Sequence, residues 1–146
     1  MDYLSQVFDR LAFLTPTIKE TLQEFIFRLK KTERENLLQV ILFGSMAHGD
    51  FDDESDTDVF ILLKDGEEKT FDIAALAYNT AYDICYNGHS LKPFVLLSPF
   101  IETLSSMMQT IHGIPWWKLE PIFQSIKEEG VLLYASDRRC QSRTKR

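Results

Sequence analysis

Apolar residues recur at helical spacing through the first part of the chain. Leu4, Val7, Phe8 and Leu11 form one set, Pro16 interrupts, and Ile18, Leu22, Phe25, Ile26 and Leu29 follow at i, i+4, i+7, i+8 and i+11. That period lays one apolar stripe along a helix, so two amphipathic helices are predicted, the second closed by the charged stretch 30–35. The pattern then changes. Leu37 to Phe43 (LLQVILF), apolar but for Gln39, and Val59 to Leu63 (VFILL) are apolar runs, which read as buried, adjacent strands of one sheet. Between them Gly44-Ser45 ends the first strand, a short helix opens at Ser45, and an acidic loop follows. Six of the nine residues from Asp50 to Asp58 are acids.

Lys64-Asp65-Gly66 marks a turn. Residues 67–87 then read as a long helix with Phe71, Ala74, Ala75, Tyr78, Tyr82 and Cys85 largely on one face, ended at Asn87-Gly88. Pro93 suits a strand start, and Phe94 to Ser98 (FVLLS) is the expected third strand. Pro99 fits the first turn of a helix running to Ile111. A Pro-Trp-Trp loop, a helix to Glu129 with Gly130 as its C-cap, and an edge strand over 131–134 complete the chain. The order ααβαβαβααβ predicts one α/β (α+β) domain over residues 1–136, a small mixed sheet flanked by helices. Residues 137–146 form a separate basic tail.

Length and composition agree with this reading. At 146 residues and 45% apolar content the chain fits one globular domain. Its net charge of -6 hides an asymmetry: Arg138 to Arg146 carries five basic residues and no acid, and the rest holds 11 basic and 22 acidic residues. A body at -11 repels a phosphate backbone, so broad nucleic-acid binding is not expected. The tail reads as a solvated terminus. Cys85 and Cys140 are far apart and in no metal-ligand pattern. A disulfide stays open, with reduced thiols the simpler reading. With no signal-peptide pattern at Met1-Asp2-Tyr3 and no apolar run of membrane-spanning length, a cytoplasmic location is expected.

The segment Leu42 to Leu63 carries the chemistry. Gly44 has no Cβ and lets a phosphate approach the backbone; Ser45 can cap the helix or donate its hydroxyl to a phosphate oxygen. Taken alone, Gly-Ser is also an ordinary strand-to-helix turn. Asp56 and Asp58 stand at i and i+2, so in a strand both carboxylates point to one face and Thr57 points away. Paired carboxylates repel unless a cation sits between them, and Mg²⁺ takes such ligands together with substrate phosphates. Alone, Asp-x-Asp is also a solvated acidic loop running into a strand. The combination is more specific than either part, because it sets a phosphate cradle and a metal carboxylate pair on one cleft.

Gly-Ser, ten residues, then Asp-Thr-Asp opening an apolar strand resembles the signature of the DNA polymerase beta nucleotidyltransferase superfamily, especially its minimal nucleotidyltransferase branch. The resemblance covers about residues 37–135 and is strongest over 42–63, with weaker support from LKPFVLLS and IKEEGVLLY. It implies the nucleotidyltransferase fold and transfer of a nucleoside monophosphate from an NTP such as ATP, with Mg²⁺. It also implies Gly44 and Ser45 as nucleotide-binding residues, and Asp56 and Asp58 as catalytic metal ligands. Small prokaryotic members often pair with a helical HEPN-type protein as toxin and antitoxin, and some AMPylate that toxin, so such a partner, or a homo-oligomer, is expected.

Two departures from the family pattern bear on activity. A third carboxylate, usual on a later strand, has no counterpart in Phe94 to Ser98, while Asp83 and Glu102 are expected on flanking helices. Arg residues two and four positions after the glycine are replaced by Met46 and His48. Both point to an alternative, a weakened enzyme of this fold that acts as an antitoxin or binding subunit. His89 and His112 lack ligand-like partners and receive no role. Trp116 and Trp117 read either as core and rim aromatics or, with Ile114 and Pro115, as part of a partner surface.

Overall fold

Thr15 starts the first long helix by a side-chain cap: its Oγ1 accepts from the Ile18 N–H at 3.2 Å, with Pro16 in the first turn. The computed structural model describes residues 3–86 and 94–136. The helix end expected at Asn87-Gly88, Pro93, His89, Cys140 and the tail lie outside them. The described elements are α1 (Tyr3–Arg10), α2 (Pro16–Glu33), β1 (Leu37–Phe43), α3 (Ser45–His48), β2 (Thr57–Leu63), α4 (Thr70–Tyr86), β3 (Leu97–Thr103), α5 (Leu104–Met107), β4 (Thr110–Ile111), β5 (Ile114–Pro115), α6 (Pro121–Glu129) and β6 (Val131–Ala135). Among them no helix is long and apolar enough to cross a membrane.

Four strands form the main sheet in the order β3-β2-β1-β6. β1 runs antiparallel to β2 and to β6, and β2 runs parallel to β3, so the sheet is mixed and flanked by helices as expected. β1 and β2 are neighbours, with Phe43 opposite Asp58 at one end and Leu37 opposite Leu63 at the other.

Each face of the sheet has its own core. On one, Val40, Leu42, Val59, Ile61 and Leu97 join the apolar stripes of α1, α2 and α4. On the other, Phe43 and Phe60 pack with Phe123 and Ile126 of α6, and the Phe60 and Phe123 rings meet edge to face at 6.1 Å.

Two expectations are corrected. The third strand begins at Leu97 and continues through Pro99 to Thr103; the helix expected from Pro99 to Ile111 is only α5, followed by the β4-β5 hairpin. Proline is tolerated there because β3 is an edge strand, where a missing donor can face away from the ladder. The helix start lies at Thr103, whose Oγ1 accepts from Ser106 N (3.1 Å) while Ser106 Oγ accepts from Thr103 N (3.0 Å). Glu102 therefore sits on β3 and not on a helix.

The second correction concerns α4. Its buried stripe is Ile73, Ala77, Thr80, Ala81 and Cys85, whereas Phe71, Ala74, Ala75, Tyr78 and Tyr82 are exposed. Small residues face inward because α4 lies close against α2: Arg28 donates to Thr80 Oγ1 at 3.4 Å and pairs with Asp83 at 2.9 Å.

Candidate functional site

The chain leaves β1 through Gly44 at φ 74° and ψ -159°, a conformation L side chains rarely adopt. It turns at once into α3, one short turn closed by Gly49 in the left-handed region (φ 80°, ψ 9°). Met46 and Ala47 of α3 are buried and anchor the turn to the core. Met46, where the family often has arginine, is therefore a packing residue. His48 points outward and lies 3.4 Å from Glu129 of α6, a surface pairing and not a place in the cleft.

The acidic loop resolves into structural and site residues. Asp52 Oδ1 accepts from Glu54 N (2.9 Å) and from Ser55 Oγ (3.2 Å), so this acid holds the loop's own turn. Asp56 is exposed just before β2, and Asp58 is half-buried within it. Thr57 between them faces the helices and is fully buried, as its alternation with Asp58 predicts.

Asp58 meets Gly44 directly. A β-carbon on Gly44 would lie 2.5 Å from Asp58 Oδ2, closer than real β-carbons come. Burial pushes the Asp58 carboxyl above its ordinary range, and the charge of Asp56 beside it raises it further. The site thus has two neighbouring carboxylates, one of them costly to ionise, against a backbone turn that has room for no side chain. Ser45, half-buried, opens the helix on the same turn.

Parallel register places Ser98 of β3 beside Asp58, and the Leu96 carbonyl accepts from Thr57 N at 2.8 Å. Leu97 belongs to the helix-side core, so Leu96 and Ser98 lie on the face that carries Asp58. Neither is an acid. Glu102 is four residues further along β3, roughly 13 Å away at strand rise. There Glu102 accepts from Ser106 Oγ at 2.7 Å and lines a concavity with Glu67, Thr70, Gln109 and Trp116. Asp83 is taken by Arg28 on the helix side. Among the described residues no group of three or more His, Cys, Asp and Glu side chains could hold a metal ion, so the pair Asp56 and Asp58 stands without a third acid. Ser98 was the position missed from sequence; only the register of β3 against β2 reveals it.

The remaining candidates lie elsewhere. His112 occupies the β4-β5 turn at φ 53°. Trp116 and Trp117 are half-buried against the α6 core, Trp116 meeting Phe123 at 4.9 Å and donating its indole N–H to the Ser106 carbonyl.

Known proteins resemble this chain in sequence and in fold. The family model described as polymerase beta nucleotidyltransferase matches residues 20–93. A candidate protein adenylyltransferase of Methanocaldococcus jannaschii is 42% identical over 94 residues, which is 61% of this chain and 93% of that protein. A second from the same organism is 27% identical over 116 residues, 80% of this chain and 97% of that protein. Among solved structures, a spectinomycin adenyltransferase of Enterococcus faecialis, crystallised with ATP and spectinomycin, superposes with a TM-score of 0.57 at 13% identity. That match covers 84% of this chain and 58% of the other, a likeness of fold.

Proposed function

Because this chain belongs to the polymerase beta nucleotidyltransferase family, we propose that it transfers an adenylyl group from ATP to a protein hydroxyl. The observation that carries this reading is the Asp58 carboxylate held against Gly44 with Asp56 beside it. In the reaction the acceptor oxygen bonds to the α-phosphorus while the bond from that phosphorus to the bridging oxygen breaks, and pyrophosphate leaves. The hydroxyl proton passes to solvent. Gly44 and Ser45 take the triphosphate: the glycine lets its oxygens approach the backbone, and the Ser45 hydroxyl donates to one of them.

The donor set suits Mg²⁺. Asp56 and Asp58 offer only oxygen ligands, and their mutual repulsion is relieved by a cation between them. When bound, Mg²⁺ neutralises triphosphate charge and polarises the phosphoryl oxygens. The names of two similar proteins support a protein acceptor. We place the reaction in the cytoplasm, in keeping with its nucleotide substrate.

One observation favours a second reading, an antitoxin-like or binding subunit with weakened catalysis that partners a helical HEPN-type protein: Ser98 and not an acid stands beside Asp58. Incubation with α-labelled ATP, Mg²⁺ and cell extract separates the two. The first reading expects a labelled protein band that disappears with Asp56→Asn plus Asp58→Asn. Tight Mg²⁺–ATP binding without label transfer to any protein would select the second.

A further inference from the structure

We propose that the exposed face of α4 is a homodimer interface, occupied by the same face of a second copy of this chain. Phe71, Ala74, Ala75, Tyr78, Tyr82 and Tyr86 are all exposed and recur at i, i+3, i+4, i+7, i+11 and i+15, one continuous stripe down the helix. Phe71 is 79% exposed and Tyr78 58%. A stripe of this kind on a folded surface marks an interaction site, and tyrosine is the residue such sites favour.

Three of the four rings already pack on one another within the chain. Tyr82 stands 6.4 Å from Tyr78 and 5.1 Å from Tyr86, and Phe94 bridges Tyr78 (5.9 Å) and Tyr86 (5.7 Å). Contacts of this kind lower the side-chain freedom that Tyr78, Tyr82 and Tyr86 have to lose on association.

Three features select a second copy as the occupant. The first is shape. The N-terminal half of the stripe is small at Ala74 and Ala75, and the C-terminal half is bulky at Tyr82 and Tyr86. An antiparallel crossing centred near Tyr78 sets Tyr82 of each helix on Ala75 of the other and Tyr86 beside Phe71, the self-complementarity a two-fold axis requires. The second is charge. The chain carries a net -6, so two copies repel through most of their surface, but this stripe holds no charged residue. The adjacent Asp83 is ion-paired with Arg28, which also holds Glu24. The third is area. The exposed parts of the four aromatics sum to roughly 450 Å², over half of the ~800 Å² each partner gives to a standard interface.

Analytical ultracentrifugation of the full chain tests this. The wild type is expected at twice its monomer mass of 17.0 kDa. Ala75→Glu and Tyr82→Lys each sediment as monomers while keeping the wild-type circular dichroism spectrum. Because the antiparallel crossing sets residue 75 of one copy against residue 82 of the other, mixing the two variants restores a dimer. A monomeric wild type overturns the proposal, and so does a dimer that survives both substitutions. Both substituted side chains lie on the solvent side of α4, so Mg²⁺–ATP binding, read by thermal shift, stays as in the wild type. Its loss in all forms would count against the proposed activity and leave the interface untouched.

Discussion

Asp58 Oδ2 fills the space where a β-carbon on Gly44 would stand, 2.5 Å from its ideal position. The strand that carries the acid and the turn read as the phosphate cradle are thus fitted to each other through the absence of one atom. Gly44→Ala adds that atom at φ 74° and drives the carboxylate aside. The expected cost is about 1–3 kcal/mol of stability, the usual range for a strained backbone position. Loss of the thermal shift on adding Mg²⁺ and a non-hydrolysable ATP analogue is expected with it. An alanine variant that unfolds and binds as the wild type does would show that the contact is dispensable.

Asp58 gives a prediction in pH. Its folded pKa lies above its unfolded one, so the unfolded chain loses this proton first as pH rises. The contribution of this group therefore lowers stability as pH climbs from the ordinary carboxylate value through the raised one, and the deficit persists above it. Asp58→Asn removes the deficit. In metal-free buffer at neutral pH the variant should melt higher than the wild type, the difference vanishing in acid. The same variant should lose the Mg²⁺–ATP shift. Chemical denaturation across pH checks the first part; a lower melting point for the variant at pH 7 would refute it.

Thr57 separates the two acids, and its buried hydroxyl has no hydrogen-bond partner among the described residues. Thr57→Val keeps the shape and removes the orphaned group. A gain of about 1 kcal/mol is expected, or roughly 2–4 °C in Tm for a chain of this size. Metal binding should be unchanged, since residue 57 faces the helices. A loss of stability would mean that the hydroxyl has a partner after all, such as an internal water.

Ser98→Asp supplies a third carboxylate beside Asp58 in the parallel register. If the missing acid limits proton removal from the acceptor, transfer should rise, by as much as ~10² for positioned base assistance. Leu96→Asp, on the same face, is the second position to try. Val95 is buried toward the helices and unsuitable. Unchanged turnover in both variants would indicate that a step other than acceptor activation sets the rate.

Much of this arrangement was legible in the sequence, for a definite reason. Leu37 to Phe43 and Val59 to Leu63 are apolar on both sides because each strand is covered by a core on both faces. The Gly44-Ser45 turn and the Asp56/Asp58 pair could be placed because they punctuate those runs. The third strand could not. Pro99 reads equally as a helix start or an edge-strand residue, and only the sheet order decides. The α4 face was obscured differently. Phe71, Tyr78 and Tyr82 look like core material, but the side of α4 that is buried carries Ile73, Ala77, Thr80, Ala81 and Cys85, mostly small residues. Ser98 needed tertiary register, since nothing in its own neighbourhood distinguishes it.

The β1-β2 pairing also bears on how the molecule is assembled in time. Phe43 meets Asp58 after an excursion of 15 residues, whereas Gln39 meets Ala135 after 96. Closing the longer loop costs about 1.6 kcal/mol more in chain entropy. Non-local pairings of that kind are the slow part of folding. The glycine turn and the two carboxylates thus belong to the fastest-closing unit of the sheet. On a ribosome, that unit can take shape while the residues of β6 have yet to be joined to the chain.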